Sequence, residues 1–133
     1  MKIPAGILAM TILLASCKEE PHAAPIDLVN EDPVKLDPTH YKVEFENDSV
    51  RVLRITYPAH EKSVMHHHPN SVAIYLTDGK SQFTLPDGKT QDGPMKAGAV
   101  QWTDAGKHLP ENVGDKPFEL ILVELKTKKA AAK

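Results

Sequence analysis

The sequence predicts an all-β domain, an antiparallel sandwich or barrel, and three observations lead there. Short segments that alternate or run apolar recur along the chain, Gly, Pro, Asn and Asp clusters separate them, and no amphipathic helical window lies between Tyr41 and Leu125. Tyr41-Lys42-Val43-Glu44-Phe45-Glu46 alternates apolar and charged residues, the pattern of a half-buried strand, and Asn47-Asp48 supplies a turn. Residues 49–57, rich in Val, Leu and Ile and ended by Pro58, predict a second strand; 63–68, ended by Pro69, a third; and 72–77 a fourth. Asp78-Gly79 predicts a tight hairpin into 80–85, Pro86-Asp87-Gly88-Lys89 another turn, and 99–103 a strand around Trp102, a residue expected in the core. Residues 118–125 are nearly continuously apolar, as for a strand covered on both sides.

A chain of 133 residues holds one compact domain, and 41% hydrophobic with 26% charged residues places it with folded globular proteins. Eighteen acids against sixteen bases leave no basic stripe for phosphate, which excludes nucleic acid as a partner.

The first residues read as an export signal: Lys2, a short apolar run at 7–15, then small residues. The run is too short to span a bilayer. It ends in Leu14-Ala15-Ser16-Cys17, which resembles the bacterial lipobox, so residues 1–16 are expected to be a signal peptide and Cys17 a lipidated first residue of the mature chain. That implies an exported lipoprotein on the periplasmic side of a bacterial membrane; Lys18 in the next position favours the outer one. Acyl chains would provide the membrane attachment, each buried CH₂ contributing about 0.8 kcal/mol. Cys17 is the only cysteine, so a disulfide within the monomer is excluded. Residues 17–40, with four prolines and no sustained period, predict a flexible spacer; 41–126 form the barrel and 127–133 a polar tail.

Three of the seven histidines are consecutive. On a strand His66 and His68 share one face and His67 takes the other, so the pair is spaced to hold one metal ion while His67 points outward. A usable site needs a third ligand from elsewhere in the sheet. Two other readings stand beside this one: a surface tract that binds metal adventitiously, and hydrogen-bonded histidines in a metal-free barrel. Tyr57 and Tyr75 are candidates to donate into a cavity, and Arg54 to hold a carboxylate. His22, His40 and His60 fall in or beside loops with no evident partner.

These segments resemble the cupin superfamily, whose first motif runs Gly, five residues, His-x-His, three or four residues, Glu, six residues, Gly. His66-His67-His68 fills its centre, Pro69-Asn70-Ser71 the gap, Val72 stands where the glutamate belongs, Gly79 closes it, and His60 replaces the opening glycine. The second motif runs Gly, five residues, Pro-x-Gly, two residues, His, three residues, Asn; Gly98, Asp104-Ala105-Gly106, His108 and Asn112 match it, with Asp104 for the proline and one residue fewer before the histidine. The resemblance covers residues 41–125. It implies a cupin-type antiparallel β-barrel, the double-stranded β-helix or jelly roll, with a three-histidine centre of His66, His68 and His108 for a divalent first-row ion (Fe, Mn, Ni or Zn) and no carboxylate ligand. Open positions on such an ion suit a small-molecule oxidoreductase of dioxygenase type. The alternative is a non-catalytic barrel that captures a small ligand or metal. Val72, Tyr75, Asp104, Glu111 and Asn112 are the residues expected around the centre, Asp104 or Glu111 orienting His108. A homodimer through a free sheet edge is a further expectation.

Overall fold

The computed structural model describes residues 31–127. The signal peptide, Cys17, residues 17–30 of the spacer and residues 128–133 of the tail lie outside the described residues. A single-turn helix α1 (Pro33–Leu36) precedes nine strands: β1 (Tyr41–Glu46), β2 (Val50–Tyr57), β3 (His66–His68), β4 (Ser71–Tyr75), β5 (Gly79–Thr84), β6 (Thr90–Met95), β7 (Val100–Thr103), β8 (Gly106–Asn112) and β9 (Phe118–Leu125). One sheet has the order β1-β2-β9-β4-β7 and the other β3-β8-β5-β6, with antiparallel pairing throughout. This is the jelly roll the motifs imply.

Alternation along the long central strands builds the core. On β2, Leu53, Ile55 and Tyr57 face inward, and on β9, paired with it along its whole length, so do Phe118, Leu120 and Leu122. Removing one such side chain, as in Leu53→Ala, costs about 2–5 kcal/mol, since the surroundings collapse only partly into the space. The opposite face of the same sheet carries a row in register, Trp102, Val72, Val123, Val52 and Phe45, one residue per strand. Trp102 is therefore not in the core; it is 51% exposed.

Other expectations are corrected. Asp78-Gly79 is not a hairpin, because β4 and β5 lie in different sheets and the chain crosses between them here. What the position needs is space: a Cβ on Gly79 would stand 2.7 Å from Phe118 Cβ. Strands β6 and β8 were unforeseen because Pro94 and Pro110 interrupt them; Pro94 is tolerated because β6 is an edge strand. The third strand is only His66–His68. Residues 31–40 are no flexible spacer. Asp32 caps α1 by accepting from Val34 N at 3.1 Å, Pro33 is buried, and Arg51 holds Asp32 at 3.0 Å. The domain therefore includes this segment.

Candidate metal centre

The antiparallel pairing of β3 with β8 sets His66 directly opposite His108, while strand alternation puts His68 on the face of His66. One ring nitrogen from each of the three lies within 4.8 Å of the others. His66 and His68 are buried and His108 half-buried.

Hydrogen bonds fix which nitrogen is free on two of these rings. His66 Nδ1 stands 2.8 Å from the Val64 carbonyl, which can only accept, so Nδ1 carries the proton and Nε2 the lone pair. His68 Nδ1 lies 2.6 Å from Glu124 Oε1, again an acceptor, with the same consequence. The two bare Nε2 atoms face each other at 3.1 Å. The Tyr41 hydroxyl is 3.0 Å from His66 Nε2 and 2.7 Å from the Tyr57 hydroxyl. Burial, joined by the neighbouring rings, disfavours a charged imidazole here and lowers the pKa of His66 to about 4 and of His108 to about 3. His66 and His108 are thus neutral nitrogen donors.

Behind it runs a chain of charge. Glu124 is 1% exposed, and its second oxygen accepts from Arg51 Nε at 2.5 Å, while Arg51 also reaches Asp32. Burial opposes ionisation of Glu124, yet bonds from His68 and Arg51 outweigh it and hold its pKa below the usual carboxylate range. An anion fixed behind His68 sets the orientation of the ring.

In front lies a cavity of about 490 Å³ with His68 and His108 in its wall. Phe83, Met95, Phe118, Leu120 and Leu122 make it mostly apolar, and Gln101, Thr103 and Asp104 also line it. A concave apolar chamber with a few convergent polar groups is the usual form of a small-ligand site.

A family model described as "Cupin domain" matches residues 53–124, more than half of the chain. The chain belongs to the cupin family. No curated protein matches the sequence. Among solved structures, this cupin is similar to a cupin domain from Bordetella pertussis Tohama I, at 22% identity over 65% of this chain and 92% of that one, TM-score 0.61. It is also similar to an RmlC-like cupin family protein with a double-stranded β-helix fold from Methanocaldococcus jannaschii (21% identity, 68% and 84% covered, TM-score 0.52). A third similar structure is a protein with a double-stranded β-helix domain from Klebsiella pneumoniae (18% identity, 68% and 78% covered, TM-score 0.52). These likenesses support the fold.

The remaining candidates separate into those the cupin fold brings to the cavity and those it does not. Tyr75 lines it and donates to Gln101 at 2.9 Å. Asp104 also lines it, but accepts from Trp102 Nε1 at 2.8 Å and does not orient His108. Glu111 pairs with Lys62 at 3.3 Å instead. Val72 does not line the cavity; strand phase turns Ala73, 2% exposed, into it, so a gap of four residues after His68 is the one that aligns the motif with the barrel. Asn112 is fully buried and staples loops, its amide donating to the carbonyls of Tyr57, Pro58 and Lys116. Arg54 is bound to Glu44 and Glu119 and takes no part in the cavity wall.

His67 is not outward: it is 7% exposed, and its N–H bonds the Glu31 carbonyl at 3.0 Å beneath the N-terminal segment. His40 has partners after all, Asp37 at 2.7 Å and Glu61 at 2.8 Å, and stacks on Tyr57. His60 has φ 61°, a left-handed conformation that accounts for a glycine in the family motif. Tyr41, Arg51 and Glu124 were missed. The available signal for Glu124 was its phase: it follows Phe118, Leu120 and Leu122 at inward positions, where an acid needs a partner.

Proposed function

We propose that this cupin is a metal-dependent protein acting on a small molecule, with a divalent first-row ion (Fe, Mn, Ni or Zn) held by His66, His68 and His108, and that its chemistry is oxidative, of dioxygenase type. The observation that carries the reading is the pair of buried imidazole nitrogens 3.1 Å apart, each with its other nitrogen committed as a donor. Unshared nitrogens that converge this closely at a buried site are spaced to share one cation. A bound ion of this kind supplies Lewis acidity and open positions for substrate and dioxygen. The chain's own part is to fix the ring of His68 through Glu124, to keep His66 and His108 neutral by burial, and to hold the apolar part of a substrate in the chamber while excluding water.

The test is metal content of the purified protein beside His66→Ala and His108→Ala, followed by oxygen uptake of the iron-loaded protein with thiols, diketones and catechols. Metal present but no oxygen uptake with any of them would remove the oxidative reading. It would leave the second one, a non-catalytic binder. That reading is favoured by a cavity wall whose Asp104 is engaged by Trp102 and whose Lys107 is paired with Glu31 at 2.5 Å.

Export and lipidation at Cys17 belong to the same proposal, with the barrel held on the periplasmic side of a membrane, the outer one in bacteria that have two. Labelled fatty acid incorporated by the protein and not by its Cys17→Ser variant supports the anchor; equal absence from both removes it.

A further inference from the structure

We infer that the centre has a fourth member, the phenol oxygen of Tyr41, which coordinates the ion where the family motif has a carboxylate. The inference rests on the metal reading above and goes beyond it. The inward residues of β4 are Ser71, Ala73 and Tyr75, so that strand offers no carboxylate to the centre. The oxygen nearest His66 Nε2 comes instead from β1: Tyr41 is 2% exposed, its ring meets that of His66 edge-on at 4.9 Å, and its hydroxyl is 3.0 Å from that nitrogen.

Spacing points to coordination. Two ligands in adjacent positions of an octahedral ion, each at about 2.1 Å, stand about 3.0 Å apart. His66 Nε2 to His68 Nε2 is 3.1 Å and His66 Nε2 to Tyr41 Oη is 3.0 Å, both at that separation. Proton accounting agrees. Without an ion, Tyr41 donates to the lone pair of His66 and accepts from Tyr57 at 2.7 Å. Once an ion takes that lone pair, the Tyr41 proton has lost its acceptor, whereas the oxygen still receives the Tyr57 hydrogen bond. The ion replaces the phenol proton, which leaves to solvent, and the centre gains one anionic oxygen beside three neutral nitrogens.

The experiment loads the full chain with Fe(III) and records its visible absorption and resonance Raman spectra beside Tyr41→Phe and Tyr75→Phe. The expected result is a phenolate-to-iron charge-transfer band in the wild type and in Tyr75→Phe, absent from Tyr41→Phe, which binds the ion about 10-fold or more weakly. Iron bound by the wild type without phenolate modes, or a band that persists in Tyr41→Phe, overturns the fourth ligand and leaves the three-histidine centre standing. No iron uptake by the wild type overturns both. Where Tyr41→Phe does not fold, a Tyr57→Phe protein keeps the outcome readable: Tyr41, Tyr57 and Tyr75 are the chain's three tyrosines, so a band kept in Tyr57→Phe and Tyr75→Phe belongs to Tyr41, and a band lost in Tyr57→Phe overturns it.

Discussion

Two groups of buried histidines stand on either side of the Tyr41–Tyr57 pair, and their partners give them opposite work. His40, 7% exposed, has a carboxylate at each nitrogen, Asp37 and Glu61, so both sides of its ring are engaged. His66 and His68, 0% and 5% exposed, each have one acceptor behind the ring and a free lone pair in front. Burial is similar; the count of acceptors differs. The first arrangement makes a clamp, in which His40 ties the end of α1 to the β2–β3 loop and Asp37 also accepts from Ser63 at 2.5 Å. The second makes ligands.

The largest effect expected from this difference is on metal content. His66→Ala or His108→Ala should take it from roughly one ion per chain to near zero, whereas His40→Ala should leave it unchanged. Elemental analysis of the three proteins decides; loss in all three would erase the distinction between the groups. His40→Ala should instead destabilise. It leaves Asp37 and Glu61 without their shared hydrogen-bond partner, at a cost of about 1–3 kcal/mol, with Glu61, 47% exposed, compensated in part by solvent. Urea unfolding measures it. A loss below about 1 kcal/mol would mean that solvent replaces the clamp.

Glu124→Gln probes the support of His68 without touching a ligand. An amide presents no charge to the ring and leaves Arg51 with Asp32 alone, so metal affinity should fall about 10–100-fold while the ligands remain. Competition with a chelator reads the change, and unaltered affinity would make Glu124 a purely structural partner of Arg51.

Acid should separate the groups further. The folded, metal-free protein holds His66 with a pKa near 4 and His108 near 3, against an ordinary 6.5. As pH falls below 6.5 the unfolded chain takes up protons that these rings refuse, so stability present above 6.5 is lost progressively down to about 3. Bound metal should be released over the acid side of the same range, because protons compete for the same nitrogens. Melting temperature against pH, with and without the ion, tests both. A flat profile between pH 6.5 and 4 would contradict neutral, desolvated ligands.

How much of this was legible depended on which signal each residue leaves. Alternation in β1, β-branched and aliphatic content in β2 and a continuous apolar run in β9 showed these strands with their ends within a residue, although β9 proves to alternate buried and half-buried positions where the run implied cover on both sides. Strands β6 and β8 are at least as long as β1 but carry glycine and proline in place of such a pattern, so they stayed hidden although His108 was found through its motif. Pairing of β3 with β8 is a contact between distant segments, and so are the bonds of Glu124 to His68 and of Tyr41 to His66; single-chain spacing does not encode them. The placement of Val72 failed for a narrower reason. The motif allows a gap of three or four, and only the strand's phase within the barrel selects four.

The smallest effect expected is at His60, which repeats the chemistry of His40 in water. Its Nε2 lies 3.0 Å from Asp115, a little longer than the 2.7 and 2.8 Å contacts of His40, and the two side chains are 64% and 95% exposed. Such a pair is screened and contributes little. The backbone carries the larger cost, because φ 61° is a left-handed conformation that disfavours any side chain by about 1–2 kcal/mol. His60→Gly removes that strain and the exposed pair together, while glycine adds about 0.5–1 kcal/mol of unfolded-state entropy. The net gain should be about 0.5 kcal/mol, a rise in melting temperature of roughly 2–4 °C for a domain of this size. A fall instead would show that the exposed pair stabilises the turn, and that the line between clamp and bystander is set by something other than burial.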